Sequence, residues 1–400
     1  MSRLSEIERY INNIYPSKEA LEEKLAKRGR LKIYFGIDPT SPQIHIGNAI
    51  SLLILQQFQK WGHEVLLLFG DFTAQIGDPS GHDTQRSQLS EHQVKENSTA
   101  YLAQVNKLLS VKDNPVKIVF NSDWWNKMSQ QKFFEVLTHF TVSQLIERDL
   151  FQERIKKQRP IAATEFLYPL LQGYDSVALN TDMEIGATDQ TFNMLVGRQM
   201  VKIYKKKEKF VITTPLLEGT DGRKMSKSFG NTIGIDSDPN DMFGKLMSIM
   251  DGSIVRYLKL TTHLPMDEVA TIERKLGSSE ISPLEAKKKL AFEVVKLYHG
   301  EKEAKTAQGE FARVFQQRGV PRAKTKVLKE KIVQATPVEI LLSLGMVKSK
   351  SEAKRLVEQG GVIINNRRVT SLDERFDVET GSLAQIGKLR STSVRIVREK

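Results

Sequence analysis

The sequence predicts an α/β protein: a Rossmann-like, doubly wound parallel sheet, then a helical domain, then a small C-terminal α+β module. Three observations favour this fold class. Short apolar runs alternate with amphipathic stretches from Leu31 onward, helical periodicity alone fills the residues after Ser228, and apolar periodicity returns after a polar stretch near residue 320. A chain of 400 residues is longer than one hydrophobic core usually serves, so several domains are expected.

The first part of the chain alternates strands with helices. The predicted strands are Leu31–Ile37, Glu64–Phe69, Val116–Phe120 and Phe210–Thr214. The predicted helices are Ala49–Trp61, Glu91–Leu109, Glu165–Ala178 and Gln190–Tyr204. Apolar strands separated by helices form parallel sheets that are covered on both faces, and ligands bind beyond the carboxyl ends of such strands. The segment Asp38–Asn48 leaves the first strand at that end.

The second part of the chain has a different character. Four amphipathic segments predict successive helices over Asp241–Met250, Met266–Leu276, Pro283–Tyr298 and Glu301–Phe315. We therefore expect a catalytic domain over residues 1–228 and a helical domain over 229–315. Residues 316–336 hold many lysines and few large apolar groups, which predicts a linker, and residues 337–400 form the terminal module.

Composition limits the possible functions. The net charge is +12 and the pI is near 9.5, which favours a polyanionic partner, with nucleic acid ahead of an anionic membrane surface. Ordinary solubility charge is the competing explanation, because acidic residues are abundant too. Cysteine is absent, which excludes disulfides and catalytic thiols and fits a reducing compartment. The N-terminus lacks an apolar signal region and the apolar runs are too short to span a bilayer, so a soluble, cytoplasmic protein is expected.

A polar loop follows the first predicted strand. It contains Asp38-Pro-Thr-Ser-Pro-Gln-Ile-His45-Ile-Gly47-Asn48 and leads into a predicted helix. Free N–H groups at a helix start favour an anion, Gly47 permits a phosphate to approach closely, and His45 and Asn48 can donate to its oxygens. Taken alone, the last four residues are better explained as a polar loop with an N-capping histidine.

A second loop follows the last predicted strand of the sheet. It contains Lys224-Met-Ser-Lys227-Ser228 between Gly222 and Gly230. Two ammonium groups three positions apart can neutralise a triphosphate, and the flanking glycines allow such a loop to close. A solvated basic loop is the alternative for any lysine pair. The position directly after a strand favours phosphate binding.

The two signatures resemble those of class I aminoacyl-tRNA synthetases, and four further segments narrow the resemblance to the bacterial tyrosyl-tRNA synthetase family. Those segments are Tyr34-Phe-Gly36-Ile-Asp38-Pro-Thr40, Ile76-Gly77-Asp78-Pro79-Ser80-Gly81, Glu165-Phe-Leu-Tyr168-Pro-Leu-Leu-Gln172-Gly-Tyr-Asp175 and Ile185-Gly-Ala-Thr-Asp189-Gln190. The C-terminal segment Ser349–Val369 resembles an S4 RNA-binding domain. The resemblance extends from about Leu31 to the chain end, with the motifs in the family's order.

The resemblance implies a tyrosine–tRNA ligase that works in two steps. L-Tyrosine and ATP would give tyrosyl-adenylate and pyrophosphate, and the tyrosyl group would then pass to the terminal ribose of tRNA(Tyr). The implied cofactor is Mg²⁺, held by substrate phosphates and not by a metal cage in the protein. A homodimer that forms through Trp124–Leu150 is also implied, without any membrane partner.

The resemblance also implies roles for residues on the ATP side. The residues expected to stabilise the reacting phosphates are Thr40, His45, Asn48, Lys224 and Lys227. Further ATP contacts are expected from Asp38, Gly47, Ala187, Asp189, Lys227 and Ser228. The residues expected to contact RNA are Arg86, Lys350, Lys354, Arg355, Arg367 and Arg368. A solvated basic face is the alternative for the residues of the terminal module.

On the tyrosine side the implied contacts are Tyr34, Asp78, Tyr168, Gln172, Asp175 and Gln190. Tyr168 and Gln172 lie four residues apart and share a helix face, with Asp175 three residues further. Asp175 and Tyr34 resemble the pair that binds the substrate phenol. A site built for that hydroxyl rejects phenylalanine, as is known for this enzyme class, because its polar groups would be left unpaired. Tyr168 as a core aromatic and Asp175 as a surface carboxylate are the alternatives, and Tyr174 is expected in the core.

Three positions depart from the family pattern. Asn48 stands where a second histidine is usual, His82 where a lysine is frequent, and Ala187 where a glycine is common.

Three other functions compete with that of a tyrosine–tRNA ligase. The first rival is a tryptophanyl-tRNA synthetase, against which Tyr34, Asp175 and the terminal module argue. The second is a small-molecule nucleotidyltransferase, which has no use for a basic tail. The third is an RNA-binding or splicing relative without catalysis.

Overall fold

The computed structural model describes residues 3–27, 29–78, 89–110, 112–226, 229–316, 324–328, 331–347, 349–365, 367–380, 382–387 and 390–396. The chain divides into two compact units. The first contains residues 1–236 and 249–281, and the second contains residues 237–248 and 282–400. Nowhere in these described ranges does a helix have the length and apolar character needed to cross a membrane.

A six-stranded sheet forms the centre of the first unit. Its strands are β1 (Asn13–Tyr15), β2 (Lys32–Ile37), β3 (Glu64–Phe69), β4 (Lys117–Phe120), β5 (Met183–Ala187) and β6 (Phe210–Thr214). The order across the sheet is β1-β6-β5-β2-β3-β4. Strands β2 to β6 pair in parallel, which confirms the predicted sheet. The short edge strand β1 was not predicted and pairs antiparallel with β6.

Helices connect the strands of this sheet. They are α1 (Lys18–Ala26), α2 (Ile46–Lys60), α3 (Thr73–Ile76), α4 (Glu91–Val105), α5 (Ser122–Trp125), α6 (Gln130–Thr138), α7 (Val142–Ile146), α8 (Asp149–Lys156), α9 (Ala163–Leu179) and α10 (Thr191–Lys205). Helix α2 is buried along most of its length, because apolar side chains cover several of its faces. Helix α9 ends at Asn180, which takes the left-handed conformation that stops a helix.

Two helices from the second half of the chain belong to the first unit. Helix α11 (Pro239–Met247) lies in the second unit, and α12 (Ile254–Thr261) and α13 (Met266–Gly277) lie in the first. Arg9 ties the end of α12 to the N-terminus, since its guanidinium donates to the carbonyl oxygens of Leu258 at 2.9 Å and Lys259 at 2.6 Å. These bonds explain why the division differs from the predicted helical domain over 229–315.

The second unit begins as a helical cluster. Helix α11 packs with α14 (Pro283–His299) and α15 (Glu301–Phe311), and the rings of Phe243 and Phe311 meet at 5.4 Å. Ser282 caps α14 through a reciprocal pair of hydrogen bonds with Glu285. The four helices predicted after residue 228 are therefore confirmed, with shifted ends and distributed over two units.

The remainder of the second unit is a small α+β module. Its helices are α16 (Pro337–Ser343) and α17 (Lys350–Glu358). Its strands are β7 (Lys324–Leu328), β8 (Ile332–Ala335), β9 (Val362–Ile364), β10 (Arg367–Arg368), β11 (Phe376–Val378), β12 (Leu383–Ile386) and β13 (Arg390–Ile396). They form a five-stranded sheet in the order β10-β9-β12-β13-β7 and a pair β11-β8. Strands β7 and β8 lie within residues 316–336, so that segment is partly sheet and not simply a linker.

Candidate active site

One cavity of about 1000 Å³ opens in the first unit, at the carboxyl ends of the parallel strands. It collects predicted residues from five stretches of sequence. Those that line it are Tyr34, Asp38, Thr40, His45, Gly47, Asn48, Asp78, Tyr168, Gln172, Asp175, Ala187, Asp189, Gln190 and Lys224. Three predicted residues, Arg86, Lys227 and Ser228, lie outside the described residues, as does His82.

His45 caps the N-terminus of α2. Its Nδ1 accepts a hydrogen bond from the backbone N–H of Asn48 at 3.2 Å. Because Nδ1 accepts, the proton of the neutral imidazole lies on Nε2, which makes Nε2 the donor. A Cβ at Gly47 would come within 3.1 Å of the imidazole, so a larger residue there would displace the ring. The N-capping interpretation and the anion-binding one are therefore compatible.

The backbone holds the His45 loop against the chain that follows Lys224. The N–H of Ile46 donates to the carbonyl of Ile233 at 2.9 Å, and the N–H of Ile235 donates to the carbonyl of Ile44 at 2.9 Å. These two bonds flank His45, which forms an isolated bridge with Gly234. The two signatures, far apart in sequence, are thus fixed side by side.

The described part of the Lys224 loop is anchored by Asn231, which is buried. The Asn231 side chain accepts from the N–H of Ser226 at 2.9 Å and donates to Asp221 at 2.7 Å. It also donates to the carbonyl of Lys224 at 3.1 Å. The Lys224 ammonium forms an ion pair of 2.7 Å with Asp189. Lys224 is therefore held against Asp189, another of the residues predicted to contact ATP.

Asp38, at the end of β2, joins three elements at the floor of the cavity. Its carboxylate accepts from the hydroxyl of Tyr168 on α9 at 2.7 Å and from the hydroxyl of Thr73 on α3 at 2.8 Å. Tyr168 is buried and lines the cavity, so it is both a core aromatic and a wall of the site. Tyr174 is partly buried and packs against Trp125 and the edge of an apolar cluster, a structural role of the kind expected for it.

Asp175 is a buried carboxylate held by three side-chain donors. The indole N–H groups of Trp124 and Trp125 donate to it at 2.9 Å and 3.0 Å, and Asn121 donates at 3.3 Å. Burial raises the pKa of Asp175 to about 8, although the three donors oppose that shift. The interpretation of Asp175 as a simple surface carboxylate is wrong, because only 3% of the residue is exposed.

Tyr34 lies in the centre of β2 and is completely buried, yet it lines the same cavity as Asp175. Its hydroxyl is 2.8 Å from the hydroxyl of Ser176, the neighbour of Asp175 on α9. Burial, together with the charge of Glu184, raises the pKa of Tyr34 well above its ordinary value. The phenol therefore keeps its proton at neutral pH.

A line of amides and charged groups forms another wall. The Gln190 amide donates to Asp78 at 2.7 Å, and Arg148 reaches the same carboxylate at 3.3 Å. The Asn193 side chain donates to the side-chain amide oxygens of Gln172 at 2.9 Å and Gln190 at 3.1 Å. The amide orientations of both glutamines are thereby set within the protein.

Apart from Arg86, the basic residues predicted to contact RNA lie in the terminal module of the second unit. Lys350, Lys354 and Arg355 are exposed on α17, whose opposite side buries Ala353 and Val357 in the module core. The exposed residues of the adjacent hairpin are Arg367 and Arg368. Both elements therefore present cations to solvent, as a phosphate-binding surface requires.

Several residues of the site were not predicted from the sequence. They are the partners of the predicted residues: Thr73, Asn121, Trp124, Trp125, Arg148, Ser176, Glu184, Asn193 and Lys209. None belongs to a contiguous motif. The sequence signal for two of them is the pair of adjacent tryptophans at the start of Trp124–Leu150, the segment expected at a subunit interface.

The fold and the cavity define a class I aminoacyl-tRNA synthetase with an added RNA-binding module. Residues 26–316 match the family of tRNA synthetases class I (W and Y), and residues 338–380 match the S4 domain. The chain therefore belongs to the class I tRNA synthetases of the tryptophan and tyrosine group.

Similarity to curated and solved proteins narrows this class. A tyrosine–tRNA ligase of Thermotoga maritima is 41% identical over 375 residues, which is 93% of this chain and 92% of the relative. One from Haemophilus ducreyi is 41% identical over 396 residues, 98% of each chain. A solved mitochondrial tyrosyl-tRNA synthetase of Coccidioides posadasii, C-terminally truncated, aligns with a TM-score of 0.62 at 27% identity, over 77% of this chain and 91% of that one. The chain is a member of the tyrosine–tRNA ligase family.

The raised pKa of Asp175 predicts a pH-dependent stability. The pKa is 3.8 in the unfolded chain and about 8 in the folded one, so folding takes up a proton between these values. The contribution of Asp175 to the free energy of unfolding is then greatest below pH 4 and falls, at up to about 1.4 kcal/mol per pH unit, as the pH rises to 8. Urea unfolding of the native chain and of Asp175→Asn should show a free-energy difference that changes across this window. A difference in unfolding free energy that stays constant from pH 4 to pH 8 would contradict the raised pKa of Asp175.

Proposed function

We propose that this chain joins L-tyrosine to tRNA(Tyr) with consumption of ATP, and that the described cavity carries both steps. The observation that carries the proposal is the presence of two complementary ends in one cavity. One end has the helix terminus with His45 and the nearby Lys224, which suit phosphates. The other has Tyr34 and the buried Asp175, which suit a phenol.

In the first step the tyrosine carboxylate attacks the α-phosphorus of ATP in line. An oxygen–phosphorus bond forms while the bond to the pyrophosphate oxygen breaks, and no general base is required because the carboxylate is already ionised. The protein contributes position and charge. The proposed donors to the phosphate oxygens are Thr40, the Nε2 of His45, the amide of Asn48, Lys224 and Lys227. Asp38, Gly47, Ala187, Asp189 and Ser228 would contact the rest of the nucleotide.

Magnesium is proposed to arrive with ATP. In the part of the chain that the structure describes, no three His, Asp or Glu side chains converge as a metal site. Mg²⁺ commonly keeps several waters and binds through substrate phosphates, which suits a cavity of this kind. It would neutralise the charge that develops on pyrophosphate, together with the lysines of the loop.

The amino-acid end is proposed to bind tyrosine by its two polar groups. The phenol would lie between Tyr34 and Asp175, and the α-ammonium would meet Asp78, Tyr168, Gln172 and Gln190. The buried carboxyl group of Asp175 and the protonated phenol of Tyr34 suit a substrate that carries its own hydroxyl. Tryptophan has an N–H donor in place of that hydroxyl, so the pocket favours tyrosine over the tryptophan alternative.

In the second step a hydroxyl of the terminal ribose of the tRNA attacks the carbonyl of the adenylate and releases AMP. We propose that the S4 module contacts the tRNA through Lys350, Lys354, Arg355, Arg367 and Arg368, and that Arg86 contacts it near the cavity. Such a surface reads phosphates and RNA shape more than sequence. We further propose a cytoplasmic enzyme, with residues 1–228 as catalytic domain and the helices over residues 229–315 as a further tRNA-contacting region.

We also propose a homodimer that forms through residues 124–150. Two large apolar side chains within this segment, Phe134 on α6 and Val142 on α7, are each 66% exposed. Exposed apolar groups so close together in sequence are typical of a protein interface. The proposal rests on this exposure and on the family.

The catalytic proposal predicts the effects of two substitutions. His45→Ala and Lys224→Ala should each lower tyrosine-dependent ATP–pyrophosphate exchange about 10²- to 10³-fold, because each removes a donor to charge that develops in the transition state. Lys60→Ala, an exposed lysine at the far end of α2, is the matched control and should leave exchange unchanged. Exchange of the native chain that responds to tryptophan and not to tyrosine would refute the proposed function.

The proposed RNA-binding surface of the S4 module predicts that substitutions there impair transfer to tRNA and leave the activation of tyrosine intact. Changing Lys350, Lys354 and Arg355 together to alanine should raise the KM for tRNA about tenfold or more, since three phosphate contacts are lost. Pyrophosphate exchange should remain at the native level. Lys331→Ala, another exposed lysine of the second unit, is the control. Equal loss of both activities would argue against a role confined to RNA binding.

The proposed dimer interface predicts that a substitution at Phe134 changes the molecular mass of the protein in solution. Phe134→Glu should convert the dimer to a monomer of 45.4 kDa, because a carboxylate would be buried against the second copy. Light scattering of the native chain and the variant measures this directly. Leu284→Glu, at a 47% exposed leucine on α14, should leave the mass unchanged. A native chain that is already monomeric would refute the interface.

A further inference from the structure

A buried ion pair lies behind the proposed phenol pocket. Lys209, which precedes β6, has no exposed surface, and its Nζ bonds the carboxylate of Glu184 on β5. The same ammonium donates to the hydroxyl of Ser176 at 2.6 Å and to the carbonyl of Met194 at 3.3 Å. A buried lysine is rarely found without such compensation, because loss of hydration strongly disfavours the charged form. Ser176 in turn lies 2.8 Å from the hydroxyl of Tyr34.

The surrounding backbone encloses this pair tightly. A Cβ at Gly197 on α10 would lie 2.7 Å from the Lys209 ammonium and 2.9 Å from the Ser176 hydroxyl. Separations below about 3.0 Å essentially never occur for a real Cβ, so a larger residue at this point of α10 would displace the Lys209 ammonium or the Ser176 hydroxyl. Strands β5 and β6 and helices α9 and α10 thus converge on Lys209. The position of its ammonium is fixed from every side.

The hydrogen bonds in this cluster have a direction. An ammonium only donates, so the Ser176 oxygen accepts from Lys209 and must place its own hydrogen elsewhere. Two acceptors are near: Tyr34 at 2.8 Å and Glu184 at 3.4 Å. The shorter distance is typical of an O–H···O hydrogen bond and the longer one exceeds the usual range. Ser176 therefore donates to Tyr34.

We propose that Lys209 and Ser176 are positioning residues that make Tyr34 a hydrogen-bond donor to the substrate phenol oxygen. The relay runs from the Lys209 ammonium through the Ser176 hydroxyl to the Tyr34 oxygen. Glu184 is the competing acceptor for the Tyr34 hydrogen, and Lys209 occupies it, so that hydrogen is directed to the ligand. The phenol hydrogen of the substrate then goes to Asp175. This inference rests on the proposed function, since it concerns recognition of tyrosine.

The same ion pair reaches a second wall of the pocket. Glu184 accepts from the amide nitrogen of Gln172 at 3.2 Å, while Asn193 donates to the amide oxygen of Gln172 at 2.9 Å. The side-chain amide oxygen of Gln172 is thereby directed away from Glu184 and toward Asn193. Lys209 holds Glu184, so one buried ammonium orders both the phenol end and an amide proposed to meet the α-ammonium.

The test is a double-mutant cycle on Ser176 and Tyr34, read by pyrophosphate exchange with tyrosine and with phenylalanine. Ser176→Ala should raise the KM for tyrosine about tenfold, the effect of one lost hydrogen bond, with kcat and the KM for ATP unchanged. Activation of phenylalanine, which lacks the phenol, should not change. Tyr34→Phe should have a similar effect, and the double variant should be no worse than Tyr34→Phe alone, because Ser176 acts through Tyr34.

Two controls separate this role from general stability. Ser98→Ala removes another buried serine hydroxyl, one bonded only to the carbonyl of Val94, and should leave the KM for tyrosine unchanged. The combined variant Lys209→Met with Glu184→Gln removes both charges at similar volume and should reproduce the loss for tyrosine. If that variant fails to fold, the Ser176 cycle decides alone.

The outcomes distinguish the inference from the function on which it rests. Additive losses in the cycle, equal losses for tyrosine and phenylalanine, or an unchanged KM in Ser176→Ala would each overturn the relay while the enzyme remains active. A native chain without tyrosine-dependent exchange would instead overturn the proposed function itself.

Discussion

The parallel pairing of β2 between β3 and β5 is the constraint on which the rest of the site depends. It brings the ends of these strands to one edge of the sheet, where Asp38 continues β2 and Asp189 follows β5. Asp38 then accepts hydrogen bonds from the hydroxyls of Thr73 and Tyr168, so helices α3 and α9 are fixed to the same point. A cavity with walls from several elements forms because the sheet aligns them.

Charge within the cavity is divided between its two ends. Buried carboxylates such as Asp175 and Glu184 lie toward the phenol end, and each is held by indole, amide or ammonium donors. Cations and the free N–H groups of α2 lie at the end with His45 and Lys224. A substrate that carries an ammonium and a phenol on one side and phosphates on the other matches this division. Preorganised dipoles of this kind need little rearrangement during reaction, which is the usual source of electrostatic catalysis.

Strands β2, β3, β4 and β6, and the helix start at His45, could be predicted from sequence, because local periodicity and capping determine them. The antiparallel edge β1 could not, since three residues carry almost no periodic signal. Lys209 lies in a run of charged residues that is typical of a solvated surface, and only its long-range contacts with Ser176 and Glu184 show that it is buried. The division of the helices between the two units was missed for the same reason: Arg9 binds carbonyls about 250 residues away.

A structure of the chain bound to a non-hydrolysable analogue of tyrosyl-adenylate tests the account most directly. The account predicts the phenol oxygen within hydrogen-bond distance of both Tyr34 and Asp175, and the phosphate at the start of α2 within reach of His45. An analogue with its ring outside this pocket, or with its phosphate remote from His45, would contradict the central claim that one cavity holds both ends of the reaction.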